Sequence, residues 1–199
     1  MKLVIATKNQ NKIKEIKEKF SVLKYLEIIS LAEFNDLPYV VEDGTTFEEN
    51  ALKKGREYAA FTGFTVLSDD SGLEVDALNG EPGVLSARYS GENATDDENI
   101  DLLLGKLRNV SEEKSNARFV CVIAIVEPSG GEYLEKGVCE GRIIKIKAGA
   151  NGFGYDPVFY IDDLGKTMAE LSLAEKNKIS HRAIALDKAV KILSKIAGS

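Results

Sequence analysis

Lys2-Leu3-Val4-Ile5-Ala6-Thr7-Lys8-Asn9-Gln10-Asn11-Lys12 begins as a short apolar run and passes directly into a polar turn. Beyond it, Ile13, Ile16, Phe20 and Leu23 recur at helical spacing, with lysines on the opposite face. The stretch therefore reads as a buried strand over Lys2–Ala6 handing on to an amphipathic helix over Asn11–Leu23. A strand that feeds a helix whose apolar stripe can pack back on it is the building unit of α/β folds.

Working outward, Leu26–Ser30 reads as a second strand. Thr46 and Glu49 form a capping-box pattern that starts a second helix, and Gly63 ends it. Phe64–Ser68 is a strand running into Asp69-Asp70-Ser71-Gly72. Thr95 and Glu98 start a third helix whose buried face carries Ile100, Leu103, Leu104 and Leu107. Ala117–Val126 and Glu132–Lys147 are β-rich and separated by Pro128-Ser129-Gly130-Gly131, so they read as an antiparallel hairpin. The last helix runs from about Ser180, its N-cap, to Ile196, with Ile184, Val190 and Leu193 inward. Early strand–helix alternation followed by a long hairpin predicts an α/β fold on a mixed sheet.

The chain has 199 residues, which at about 150 residues per domain is one domain over 1–199, or one domain of two lobes. With 44% hydrophobic and 29% charged residues it is globular, and its net charge of −6 argues against coating a nucleic-acid polymer or an anionic membrane. No stretch approaches the ~18 uncharged apolar residues of a membrane span. Leu3–Ala6 is too short for a signal peptide, so the expected location is cytoplasmic. Cys121 and Cys139 are too few for a zinc site, and they read as two buried thiols.

Four segments carry chemistry. Thr7–Lys12 lies where a strand meets a helix, a place that aims backbone N–H groups and a positive dipole end at an anion. It holds no glycine, so it is neither a P-loop nor a dinucleotide fingerprint. Asp69-Asp70 sets two carboxylates side by side, a costly arrangement without a cation, and hard divalent ions such as Mg²⁺ take such oxygens. Glu42, in the loop before the second helix, offers a further carboxylate. Gly152-Phe153-Gly154-Tyr155-Asp156-Pro157 flanks a stacking ring with glycines that let a ligand approach the backbone. Lys176 and Ser180-His181-Arg182 gather potential cations near a helix start, which favours an anion or acceptor there.

Taken in order, Thr7-x-Asn9-x-x-Lys12, the Glu42 loop, Ser68–Gly72, Ser86–Gly91, Gly152–Pro157 and Ser180-His181-Arg182 resemble the Ham1-like inosine triphosphate pyrophosphatase family. The resemblance runs from Lys2 to about Leu186, nearly the whole chain. It implies hydrolysis of non-standard purine nucleoside triphosphates (ITP, dITP and XTP) to the monophosphate and pyrophosphate with Mg²⁺. It also implies an elongated mixed sheet flanked by helices, two lobes with the nucleotide cleft between them, and a homodimer. By motif, Thr7, Lys8, Asn9, Gln10, Asn11, Lys12 and Lys176 would hold the triphosphate, and Glu42 and Asp70 the metal. Asp70 would also accept the proton of the attacking water. Ser71 would touch the substrate, Phe153, Gly154, Tyr155 and Asp156 the base and sugar side, and His181 and Arg182 the base.

Two rivals frame that expectation. An aspartyl-phosphate phosphatase needs a nucleophilic Asp after the first strand, where Thr7-Lys8-Asn9 stands instead. A non-catalytic nucleotide sensor would do better without Glu42, Asp69 and Asp70 near a triphosphate.

Overall fold

A computed structural model describes residues 1–198. Strand β1, Lys2–Ile5, leads into helix α1, Gln10–Phe20, and then strand β2, Glu27–Ser30. Helix α2, Phe47–Thr62, precedes strand β3, Thr65–Val75, and helix α3, Asp96–Lys106, precedes β4, Asn116–Val126. After β5, Glu132–Ile143, come β6, Phe159–Ile161, β7, Lys166–Thr167, and the helices α4, Leu173–Ile179, and α5, His181–Ala197. The strands form one seven-stranded sheet in the order β2-β1-β3-β4-β5-β6-β7. β1 pairs in parallel with β2 and β3, while β6 is antiparallel to β5 and β7, so the sheet is mixed. β4 and β5 are neighbours joined through a turn that Glu127 N–H closes onto Gly131 O at 2.8 Å.

The helix starts are local events. Thr46 and Thr95 each accept the N–H of the residue three on, and Glu49 and Glu98 reach back to the cap, completing both expected boxes. Gly63, at φ +69°, ends α2 in the left-handed conformation that costs glycine nothing. α4 was not foreseen: Ser172 and Glu175 form the same box, but seven residues are too short to show an apolar period. A larger correction concerns β3. Asp69-Asp70-Ser71-Gly72 does not end the strand after Ser68; it lies inside it, and Leu73 and Val75 resume the buried pattern beyond. β5 is shorter than expected, stopping at Ile143 rather than Lys147.

Two compact units divide the chain. The first comprises Met1–Asp70, Cys121–Gly137 and Arg182–Ser199. Within it, strand alternation sorts side chains onto two faces. Leu3, Ile5, Leu67, Cys121, Ile123 and Ile125 pack with Ile16 and Phe20 of α1 and with Ala185, Leu186, Ala189 and Leu193 of α5. Val4, Ala6, Val66 and Val126 pack on the other side with Tyr58 and Ala59 of α2. This is a helix–sheet–helix sandwich, and each fully buried Leu, Ile or Phe adds about 1.5–3 kcal/mol. The second unit, Ser71–Val120 with Val138–His181, has one core of Leu73, Val75, Phe119 and Phe159 closed by Ile100, Leu103 and Leu107 of α3. Both cysteines are free and buried, and burial pushes Cys121 up to about 12 and Cys139 to about 11. Among the described residues no helix is long and apolar enough to cross a membrane.

Gly55 shows how tightly α2 lies on the sheet. A Cβ there would sit 2.6 Å from Cγ2 of the buried Val126 and 3.1 Å from Ser68 Oγ. Helix propensity alone would make Gly55→Ala stabilising by about 1 kcal/mol. Overpacking against a β-branched side chain costs about 1–3 kcal/mol and should win. Urea unfolding is expected to show Gly55→Ala less stable than the parent by about 1 kcal/mol, and a gain would refute the close approach.

Candidate active site

The first unit builds its polar centre around Asp69 and Asp70. Neighbours on a strand point to opposite faces, and so do these. Asp69 looks toward α1 and α5: its Oδ2 lies 2.8 Å from Lys12 Nζ and 3.4 Å from Arg182 Nε. The guanidinium of Arg182 also meets Glu15 Oε2 at 2.6 Å. Asp70 looks toward α2, where Asn50 Nδ2 donates to its Oδ2 at 3.1 Å and Lys54 Nζ lies 3.9 Å from its Oδ1. Lys54 Nζ further donates to Glu42 Oε2 at 2.9 Å and to the Asp69 carbonyl at 2.6 Å. Adjacent in the chain and expected to repel each other, the two aspartates are separated by the strand, and each meets a different cation at close range.

The two faces differ in charge balance. Lys12 and Arg182 lie against Asp69 and Glu15, whereas Lys54 faces both Glu42 and Asp70, with Lys12 acting on Asp70 from farther away. Burial raises Asp69, but Lys12 and Arg182 outweigh it and hold that carboxyl below the usual range. For Asp70 burial dominates and, with the charge of Glu42, carries it up to about 6 against the pull of Lys54. Burial opposes the charge on Lys54, yet Asp70, Asp69 and Glu42 together keep it protonated above its ordinary value.

The turn Thr7–Lys12 caps itself. Asn9 Oδ1 accepts the N–H groups of Asn11 at 2.9 Å and Lys12 at 3.2 Å, and Thr7 Oγ1 accepts that of Asn9 at 3.2 Å. Lys8, Gln10 and Asn11 are exposed there. Of the cations expected for a triphosphate, Lys12 is therefore present but rests on Asp69.

The second unit gathers the aromatic loop. Gly152 at φ +78° leaves room where a Cβ would lie 1.9 Å from Asp156 Oδ2. That oxygen accepts Phe153 N–H at 3.0 Å and Lys176 Nζ at 2.7 Å, and the Lys176 ammonium lies 4.8 Å from the Phe153 ring centre. Tyr155 OH donates to Ser86 O at 2.9 Å, and Gly154 N–H to Asp96 Oδ2 at 2.6 Å. His181 stacks on Phe119 at 4.8 Å. Ser71, half-buried, follows Asp70 on β3.

Two expected ligand contacts rest on protein partners. Lys176, expected with Thr7–Lys12 at phosphate, is neutralised by a buried Asp156 beside Phe153, because a desolvated ammonium needs a close counter-charge. The Arg182 side chain, expected at a base, is only 2% exposed and faces Glu15 and Asp69. Asn50, Lys54 and Glu15 were not foreseen. Their signal lies in spacing: Asn50 and Lys54 share the buried face of α2 with Phe47, Ala51 and Tyr58, where a polar residue needs a partner.

Among the described residues no group of three or more His, Cys, Asp or Glu side chains could enclose a metal ion. Glu42 and Asp70 do suit an ion that keeps most of its ligands from elsewhere, since Mg²⁺ characteristically takes one or two carboxylates plus substrate phosphates.

A model of the Ham1 family matches residues 3–192. The dITP/XTP pyrophosphatase of Desulforamulus reducens is 49% identical over 196 residues, covering 98% of this chain and 97% of the relative. That of Exiguobacterium sibiricum is 46% identical over 198 residues and covers both chains fully, at 100%. Among solved structures, the Ham1 protein of Staphylococcus aureus matches with TM-score 0.89 and 46% identity over 98% of this chain and 99% of its own. The nucleoside-triphosphatase or dITP/XTP pyrophosphatase of Mycobacterium abscessus matches with TM-score 0.79 and 44% identity over 95% of this chain and 98% of its own.

Asp70 makes a thermodynamic prediction. Its folded carboxyl titrates near 6 instead of at the ordinary 3.8, so the folded state holds a proton that the unfolded chain has lost, and stability falls as pH rises from about 4 to about 6. Asp70→Asn keeps the shape without the charge. In a chelating buffer at about pH 7.5 it is expected to stabilise the fold by about 1–3 kcal/mol, an advantage that fades near pH 4. Thermal melts at both pH values check this, and an equal advantage at the two would contradict it.

Proposed function

The chain belongs to the Ham1 family, and from that membership we infer that it hydrolyses non-standard purine nucleoside triphosphates, among them dITP, ITP and XTP, to the monophosphate and pyrophosphate. The observation that carries the reading is Asp70: a buried carboxylate on a central strand, held by Asn50, faced by Lys54 and pushed toward neutrality. A proton acceptor works best when its pKa lies near the working pH.

In the reaction so assigned, a water oxygen attacks the α-phosphorus in line with the bridging oxygen to the β-phosphorus. The water proton passes to a carboxylate oxygen of Asp70. The bond between α-phosphorus and bridging oxygen breaks, and pyrophosphate leaves with the electron pair. Lys12 and Lys54 spread the charge that builds on the phosphate oxygens. For Lys12 this means exchanging Asp69 for the substrate, which the second cation on Asp69, Arg182, makes affordable. Glu42 and Asp70 would hold Mg²⁺, which when bound supplies charge neutralisation on non-bridging and leaving oxygens.

For the base we assign Phe153 as stacking surface, with His181 and Arg182 as donors, and Lys176 joins Lys12 toward the triphosphate. Hypoxanthine and xanthine present an acceptor at C6 where adenine presents an amino donor, and opposed, desolvated donors cost about 1–3 kcal/mol for each unmet group. For Arg182 to take part, its guanidinium has to release Glu15 or Asp69. A cytoplasmic location and a homodimer complete the proposal by family resemblance.

With ITP and Mg²⁺ the products are expected to be IMP and pyrophosphate, resolved by anion-exchange chromatography; IDP and orthophosphate would overturn the mechanism. Asp70→Asn should cut turnover by about 10² to 10⁴ while nucleotide binding survives better. Phe153→Ala should weaken ITP and ATP about equally, because a stacking ring accepts every purine; a selective loss of one would give Phe153 a part in base choice.

A further inference from the structure

Asn50 is fully buried, with 0% of its surface exposed, and its carboxamide makes two hydrogen bonds in opposite directions. Nδ2 donates to Asp70 Oδ2 at 3.1 Å, and Oδ1 accepts the Gly44 N–H at 2.8 Å. One helical turn on, Lys54 lies 3.9 Å from the other Asp70 oxygen and 2.9 Å from Glu42. The two oxygens of Asp70 are thus addressed by two residues of α2 spaced four apart, and both residues also grip the 42–44 segment. Gly44 fits this close approach: a Cβ there would lie 2.7 Å from Asn50 Oδ1 and 2.8 Å from Glu49 Cβ.

The two contacts on Asp70 differ in kind. An ammonium at 3.9 Å is a rotating point charge that attracts a carboxylate without fixing its plane. A carboxamide held at its far end by a backbone N–H presents one donor in one direction. We propose that Asn50 is a positioning residue for the proton acceptor: it sets the rotation of the Asp70 carboxylate and ties the Glu42-bearing loop to it. An apolar residue of similar size would leave both the Gly44 N–H and Asp70 Oδ2 without this partner. Asn50 accordingly acts through Asp70 and touches no reacting atom, and the inference rests on Asp70 being the proton acceptor.

Steady-state turnover of ITP with Mg²⁺, combined with hydrogen–deuterium exchange at the Gly44 amide, tests it. Asn50→Ala removes both bonds and is expected to lower kcat by about 10- to 100-fold, with KM changed by less than about threefold and faster Gly44 exchange. Asn50→Asp keeps the acceptor for Gly44 but not the donor to Asp70, so Gly44 stays protected while kcat falls as far. Should Asn50→Asp fail to fold, Asn50→Ala and its cycle with Asp70→Asn decide the role without it. In an Asp70→Asn background Asn50→Ala should cost less than about threefold more, because its target is already gone. Additive losses in that cycle, a kcat within twofold of the parent for Asn50→Ala, or an effect confined to KM would each overturn the positioning role. A near-normal Asp70→Asn would instead sink the assignment of the proton acceptor itself, so the two failures are told apart.

Discussion

Successive side chains of a β-strand leave on opposite faces, and at Asp69 and Asp70 that geometry decides what surrounds each carboxylate. Because β3 continues through them, the first joins Lys12, Arg182 and Glu15 on the face packed by α1 and α5. The second joins Asn50, Lys54 and Glu42 on the face packed by α2. A strand ending at Ser68 would have put both carboxylates in one solvated turn, where neither burial nor a fixed partner could act on them.

Burial and nearby charge together explain the different behaviour of the two faces. At Asp69 the half-buried Lys12 and the buried guanidinium of Arg182 outweigh desolvation and hold the carboxylate ionised. At Asp70, burial together with the charge of Glu42 outweighs the pull of Lys54 and Lys12 and raises the carboxyl. Adjacent residues of the same type thereby acquire opposite characters, one locked in its charged form and one poised to take up a proton. The same separation of roles by environment underlies many acid–base sites.

In the second unit Asp156 plays the organising part. Its carboxylate closes the glycine-flanked loop through Phe153 N–H and neutralises Lys176, and only a residue without a Cβ at position 152 leaves it room. The half-buried aromatic ring of Phe153 thus sits beside a buried ion pair that fixes its loop.

Much of this could be read from the chain alone, since short-range physics writes it. The first strand and helix, the capping boxes at Thr46 and Thr95, the left-handed Gly63 and the glycine-flanked Phe153 each depend on residues within a few positions of one another. The motifs that carry the family resemblance are local for the same reason. What the sequence left undecided is which charge meets which. Asp69 and Arg182 stand 113 positions apart, Lys176 and Asp156 twenty, and Asn50 and Asp70 twenty, so no local rule pairs them. Those pairings follow from tertiary packing, and burial, which turns a surface charge into a group that must be satisfied, exists only once the chain has folded.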